Sequence, residues 1–143
     1  MKFLQLNFIP QSTDFALLVL RLWLGLTMLL NHGWDKLTHF SAYAEKFGNP
    51  IGIGATPSLA LVVFAEVVAS ALLVLGLWTR FAALALAINM GVAFFIAHQH
   101  SLSGAGSGEL AFIYLASYVT IFFAGGGSFA LDRNLPSAGG SKK

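Results

Sequence analysis

Two ionisable side chains, Arg21 and Glu66, lie inside long apolar stretches of the sequence, where they could carry charge or protons. A charge left alone near the middle of a bilayer costs about 2.5–3.5 kcal/mol on insertion scales, so we expect the two to pair. Counted along their helices at the rise of an α-helix, Arg21 lies about 9 Å and Glu66 about 16 Å into the bilayer. An arginine side chain covers that difference. A pair of this kind could serve chemistry or only fix the helix register, and the sequence leaves both interpretations open.

Further polar residues follow the same helical faces. Arg21, Gly25 and His32 share one stripe at i, i+4 and i+11, and Lys36 continues it if the helix persists. Asn89 and His100 share a stripe on a later stretch by the same spacing of eleven residues. The candidate ligand-binding residues are therefore Arg21, His32, Lys36, Glu66, Asn89 and His100. The sequence indicates no particular catalytic residue among them.

Some of these residues could also move protons. A buried carboxyl group can exchange protons near neutral pH, as histidine does, so Glu66, His32 and Glu109 form a candidate proton relay. We expect no metal site, because His98 and His100 are two residues apart, which is poor ligand spacing on a helix end. The chain has no cysteine, which excludes thiolate nucleophiles, Cys-ligated metals and disulfides. No motif for an intrinsic cofactor is present either.

The composition predicts the elements that position these residues. Of the 143 residues, 57% are hydrophobic and 10% charged, against roughly 45–50% and 25% in soluble domains. We therefore predict an all-α membrane protein, a single domain spanning residues 1–143 and folded as a bundle of four transmembrane helices. The predicted spans cover residues of about 15–31, 58–77, 81–97 and 110–124.

The connections between the spans differ in kind. After span 1, Leu37, Phe40, Ala44 and Phe47 recur at helical spacing and predict an interfacial amphipathic helix. The glycines and prolines of residues 48–57 then predict an irregular segment at the bilayer boundary. Residues 78–80 predict a tight turn between spans 2 and 3, residues 99–109 a polar loop, and residues 125–127, all glycine, a helix stop.

The charge distribution predicts an orientation. The formal net charge is +2, with no basic run that could follow a phosphate backbone, so nucleic-acid binding has no support. Loop lysines and arginines favour the cytoplasmic side. The side with both termini carries more of them, so we expect both termini in the cytoplasm. Five basic residues lie there, Lys2, Arg80, Arg133, Lys142 and Lys143, against Lys36 and Lys46 on the other side.

The order of these motifs resembles the DoxX family of small four-helix membrane proteins, from about Leu17 to Asp132. The resemblance is carried by Arg21-Leu22 with Gly25, His32-Gly33-x-x-Lys36-Leu37, Phe47-Gly48-x-Pro50, Glu66, Leu75-Gly76-Leu77-x-Thr79-Arg80, His98, Glu109-x-Ala111 and Gly125-x-Gly127-x-Phe129-x-Leu131-Asp132. Carried over by position, the polar motif of the family falls on Arg21, His32, Lys36, Glu66 and Thr79-Arg80.

The resemblance implies a protein of the bacterial inner membrane that serves quinone-linked oxidoreductase or redox-stress systems. A quinone-interacting or accessory subunit would take its electrons from a redox partner protein, so the chain would be at most a subunit of an enzyme. Two alternatives remain open. One is a non-catalytic adaptor that recruits a partner enzyme to the bilayer, and the other is a small-solute or proton permease that works as a homo-oligomer.

Overall fold

The chain folds into helices joined by short irregular segments in the computed structural model, which describes residues 4, 6 and 8–135. No strand occurs within these residues. The helices are α1 (Thr13–Thr38), α2 (Phe40–Ala44), α3 (Ala55–Leu75), α4 (Thr79–Ala97) and α5 (Glu109–Ala124), followed by a 3₁₀ turn at Leu131–Asn134.

Three of these helices are long and apolar enough to cross a bilayer. They are α1, α3 and α4, with mean hydropathies of 1.7, 2.5 and 1.9. Helix α5 is apolar but has only 16 residues, which is about 24 Å against a hydrocarbon core of about 30 Å. Apolar side chains such as Trp23, Ile88 and Phe123 are exposed on the outer surface, as contact with lipid requires. The prediction of an all-helical membrane protein is confirmed, with three of the four predicted spans supported by length and composition.

Helix α1 is longer than predicted, and the amphipathic helix after it is shorter. Helix α1 starts at an N-cap in which the Ser12 hydroxyl accepts a hydrogen bond from the Phe15 amide. It continues to Thr38, so Leu37 belongs to α1, and only Phe40–Ala44 forms a separate helix. The predicted amphipathic helix is therefore wrong as one element, because the chain breaks at His39. The irregular segment that follows is present, with positive φ at Gly52 and Gly54.

The end of the bundle where α1 begins and α5 ends, here called the terminal end, is tied together by two aspartates. Asp14 accepts hydrogen bonds from the backbone and hydroxyl of Ser128, at 2.9 and 2.5 Å. Asp132 accepts from the backbone amides of Trp78 and Thr79, at 2.5 and 2.8 Å, where α4 begins. The opposite end carries residues 45–54 and 98–108 and is called the loop end. The predicted stop is confirmed, because α5 ends at Ala124 before three glycines.

Helices α1 and α3 run antiparallel and touch at two glycines of α1. A Cβ atom added to Gly25 would lie 2.6 Å from the Val74 side chain, and one added to Gly33 would lie 2.6 Å from the Glu66 carbonyl oxygen. Only glycine permits backbones to approach this closely. The contact at Gly33 joins two π-helical stretches, Leu29–Gly33 and Phe64–Ala69. Such stretches are often found at functional sites.

The contact at Gly33 yields a stability prediction. Gly33→Ala should push α1 away from Glu66 and lower the free energy of unfolding by about 1–3 kcal/mol, the usual cost of overpacking. Unfolding in lipid–detergent mixtures measures this. Gly91→Ala is the matched control, because a Cβ at Gly91 of α4 would meet nothing within 4 Å. Equal stabilities for the two variants would contradict the close contact.

Candidate functional site

An ion pair between α1 and α3 lies in the loop-end half of the bundle. The Lys36 Nζ is 2.6 Å from the Glu66 Oε2, and the Asn89 amide nitrogen on α4 is 3.4 Å from the Glu66 Oε1. The side chains of Lys36 and Glu66 are 19% and 6% exposed. Three helices therefore converge on one carboxylate, which receives a cation on one oxygen and an amide on the other.

The predicted pair of Arg21 and Glu66 is wrong. The Arg21 side chain is fully buried and donates from Nη1 to the carbonyl oxygens of Leu73 and Val74, at 3.0 and 3.4 Å. These carbonyls belong to the last turn of α3, which leaves carbonyls without helical partners. A Cβ bond tilts toward the N-terminus of its helix, so Arg21 extends toward the terminal end while Lys36 extends into the bundle. Arg21 is thus a clamp on the end of α3.

A cavity of about 420 Å³ opens next to the ion pair. Its walls come from α1, α3, α4, α5 and the segment between α2 and α3. The lining is largely apolar, with Met28, Phe47, Pro50, Val62, Val92, Ala93, Leu110 and Ala111 among its residues. The polar groups that line it are His32, Lys36, Glu66, Asn89, His98, Ser107 and Tyr114. This is the usual composition of a small-molecule site, an apolar pocket with a few convergent polar groups.

The structure brings together four of the six predicted ligand-binding residues, namely His32, Lys36, Glu66 and Asn89. Arg21 does not line the cavity, and neither does His100. The exposed His100 packs edge-on against the rings of Phe94 and Phe95, with centroids 6.2 and 5.4 Å apart.

The proposed proton relay is only partly assembled. Glu66 and His32 both line the cavity, but Glu109 is exposed at the start of α5 and does not. The His32 ring meets the Tyr114 ring edge-on, with centroids 6.3 Å apart. Two of the three predicted relay residues, His32 and Glu66, therefore lie at the same cavity, whereas Glu109 lies outside it.

Three polar cavity residues were not among the predicted site residues, namely Tyr114, His98 and Ser107. Tyr114 was missed because it lies in the apolar run of α5, where only the fold shows which face turns inward. His98 lies just after the end of α4 and donates a hydrogen bond from Nδ1 to the Gly106 carbonyl, at 2.7 Å. With Nδ1 on a carbonyl, which makes it the donor, the Nε2 of the neutral ring is an acceptor.

A second group of titratable residues lies on the surface, beside α2. The Asp35 carboxylate contacts the His39 ring at 3.0 Å and accepts a hydrogen bond from the Tyr43 hydroxyl. That hydrogen bond to a carboxylate raises the pKa of Tyr43 above its usual value. All three side chains are solvent-exposed or nearly so, so we attribute to them no part in the buried site.

The helices and the site together define a polytopic helical membrane protein with a buried Lys–Glu pair beside an apolar cavity. The comparisons with known proteins name the family. The sequence model of the DoxX family matches residues 16–99, so the chain belongs to the DoxX family. This matched range contains all of Arg21, His32, Lys36, Glu66 and Asn89.

A Haemophilus influenzae protein described as uncharacterized is similar to this chain. The two are 34% identical over 110 residues, which cover 73% of this chain and 80% of the relative. No solved structure matches the chain.

Double-mutant cycles test whether Glu66 pairs with Lys36 or with Arg21. Removing either charge alone, by Lys36→Met or Glu66→Gln, should cost about 3 kcal/mol of unfolding free energy because the other charge loses its partner in a largely buried site. The double variant should cost much less than the sum of the two. The control cycle combines Arg21→Met with Glu66→Gln, which we expect to be additive. If the Lys36–Glu66 cycle were additive and the Arg21–Glu66 cycle showed coupling, the pair of Arg21 and Glu66 predicted from the sequence would be correct.

Proposed function

We propose that this protein binds a quinone in the cavity and acts as the membrane subunit of an oxidoreductase. The observation that supports this most is the placement of Lys36, Glu66 and Asn89 at an otherwise apolar cavity. A quinone has a ring with two carbonyl oxygens and an apolar tail. Such a ligand needs a few hydrogen-bond donors and an apolar wall, and the lining offers both.

The residues fit each part of that ligand. The Lys36 ammonium and the Asn89 amide are donors for ring oxygens, and His32, one turn before Lys36 on α1, is a further donor. Met28, Val62 and Ala93 are suited to the ring face and the tail. The two charges of the ion pair cancel, so the site favours a neutral ligand over an anion or a cation. The cavity volume of about 420 Å³ accommodates a substituted ring with the start of its tail.

Glu66 would exchange protons with the bound molecule. A quinone, when bound, supplies the capacity to accept or release two electrons together with two protons. Glu66 is nearly buried and is held by Lys36 and Asn89, so its carboxylate is fixed in position to give or take a proton. The electrons would come from a redox partner protein.

The proposal includes a bacterial inner-membrane location with α5 as a fourth span. Helix α5 is shorter than the hydrocarbon core is thick. It would cross because a bilayer can become thinner around a short apolar helix. Both termini would be cytoplasmic. Of the basic residues that support this orientation, Arg80 and Arg133 lie near the terminal end, whereas Lys2, Lys142 and Lys143 lie outside the described residues.

Binding of a short-tailed ubiquinone or menaquinone analogue to the protein in lipid nanodiscs tests the proposal. We expect saturable binding, weakened about tenfold or more by Lys36→Met or Asn89→Leu, because each removes a hydrogen bond to the ligand. Equilibrium dialysis or fluorescence quenching measures the affinity. Each variant is first shown to be folded by its circular dichroism and its melting curve.

His100→Ala is the matched control, because His100 is exposed and does not line the cavity. It should bind the analogue as the wild type does. A folded wild-type protein that binds neither analogue would contradict the proposal and favour the adaptor. Equal weakening by His100→Ala would place the ligand elsewhere.

A further inference from the structure

Several buried polar atoms in the core have no hydrogen-bond partner among the described residues. They are the Arg21 Nε and Nη2, the Ser70 Oγ, the Thr79 Oγ1, the Tyr118 hydroxyl and the Ser58 Oγ. The residues Arg21, Ser70, Thr79 and Tyr118 are 0% exposed. Ser58 lies apart from these four residues, in the first turn of α3 at the loop end.

Three of these side chains lie between Glu66 and the terminal end. Ser70 comes one helical turn after Glu66 on α3, which places it on the same face about 6 Å further along. Arg21 binds the Leu73 carbonyl at the next turn. Thr79 opens α4 directly after the turn that ends α3, and its amide is bound to Asp132.

The packing around Ala130 shows that Arg21 and Thr79 belong to one neighbourhood. A Cβ atom added to Gly76 would lie 2.3 Å from the Arg21 Nη1 and 2.7 Å from the Ala130 Cα. One added to Gly126 would lie 2.5 Å from the Ala130 Cβ and 2.7 Å from the Thr79 Oγ1. The polar groups of Arg21, Thr79 and Asp132 are therefore neighbours at the terminal end, and Ser70 lies between them and Glu66 by its place on α3. On the neighbouring helix α5, the Tyr118 ring stacks on the Tyr114 ring, with centroids 5.7 Å apart.

Dry burial of so many unpaired polar atoms would be costly. An amide or hydroxyl moved from water into an apolar interior without a partner costs about 1–3 kcal/mol by mutational measures. Buried water normally satisfies such groups, and each buried water makes about three hydrogen bonds. A cluster of a guanidinium and two hydroxyls offers the several donors and acceptors that a water molecule needs.

We propose that water molecules held by Arg21, Thr79 and Ser70 form a proton path from the terminal end to Glu66. A proton moves along such a path by exchanging a hydrogen bond for a covalent O–H bond at each water, so no oxidant or reductant takes part. Beyond Glu66 the cavity continues toward the loop end. The path and the cavity together would cross the protein within one chain, without the oligomer that a permease of four spans was expected to need.

Arg21 sets the selectivity of this path. Its fixed positive charge raises an electrostatic barrier to every cation, as a pore-lining arginine does in water channels. The Asp132 carboxylate, bound to the Trp78 and Thr79 amides at the same end, offsets that barrier for a proton, which moves by exchange of hydrogen bonds, but opens no passage for a metal ion. The path would therefore conduct protons and exclude Na⁺ and K⁺.

Proton flux into liposomes tests the proposal without any quinone. The full-length protein is reconstituted around a trapped pH-sensitive dye, and a potassium gradient with valinomycin drives proton entry. Flux should exceed that of protein-free liposomes. Ser70→Ala and Thr79→Val should each slow it about tenfold, the effect of a barrier raised by one lost hydrogen bond. Replacing the potassium-driven gradient by a sodium gradient should give no Na⁺ uptake.

Ser58→Ala is the matched control. It removes a buried hydroxyl that also lacks a partner, but from the other end of α3. Its flux should equal that of the wild type. Wild-type flux no greater than that of protein-free liposomes would overturn the path, as would Ser70→Ala and Thr79→Val variants that conduct as fast as Ser58→Ala. If either variant fails to fold, the flux of the other, compared with that of Ser58→Ala, decides the question.

The melting curves of the same variants separate hydrated from dry hydroxyls. Removing an unpaired hydroxyl from a dry core should leave stability unchanged or raise it, whereas removing one that holds water should lower it. A rise in melting temperature for both Ser70→Ala and Thr79→Val would overturn the hydration on which the path depends. Loss of quinone binding alone would leave the path intact, because the flux is measured without quinone.

Discussion

The close approach of Gly33 to the Glu66 backbone is the constraint on which the rest of the structure depends. With no side chain between them, α1 and α3 come together at the point where both adopt π-helical turns. Lys36 follows Gly33 by less than one turn, so this contact delivers its ammonium to the Glu66 carboxylate. Without the contact, Glu66 would remain an uncompensated charge in an apolar bundle, at a cost of several kcal/mol.

The direction of the side chains places Arg21 at the terminal end of the bundle and Lys36 at the cavity beside Glu66. Arg21 reaches back to the carbonyls that end α3, and Asp132 secures the start of α4 beside it. The terminal end is therefore closed by a clamp of backbone and side-chain hydrogen bonds. Lys36 and Glu66 are left at the cavity, which is the one place in the described chain where a cation and a carboxylate face apolar space. This separation places the arginine clamp at one end of the bundle and the ion pair with its cavity toward the other.

Much of this organisation could be predicted from the sequence, and the errors have a common cause. Composition and apolar runs located the four long helices, the cost of burying charge singled out Arg21 and Glu66, and helical spacing added Lys36. Depth along a helix does not fix a partner, however, because the tilt of the Cα–Cβ bond sends Arg21 away from Glu66. Whether α1 continued past His32 was equally open, since glycine at position 33 reads as a breaker until its packing partner is known. Tyr114 was hidden for the same reason, because inward and outward faces of an all-apolar helix look alike.

The proposed function rests on the same pair. A neutral ion pair at an apolar cavity suits a neutral ring with oxygen acceptors, and the Glu66 carboxyl group, held by Lys36 and Asn89, would exchange protons with it. The most direct measurement of the central claim is the distance from the Lys36 Nζ to the Glu66 carboxyl carbon by magic-angle-spinning NMR, on protein labelled with ¹⁵N-lysine and ¹³C-glutamate in lipid. The account predicts a strong dipolar coupling, as expected for a carboxyl carbon one bond beyond an oxygen that lies 2.6 Å from the Nζ, and its loss in Glu66→Gln. No coupling in the wild type, or coupling that survives that substitution, would contradict it.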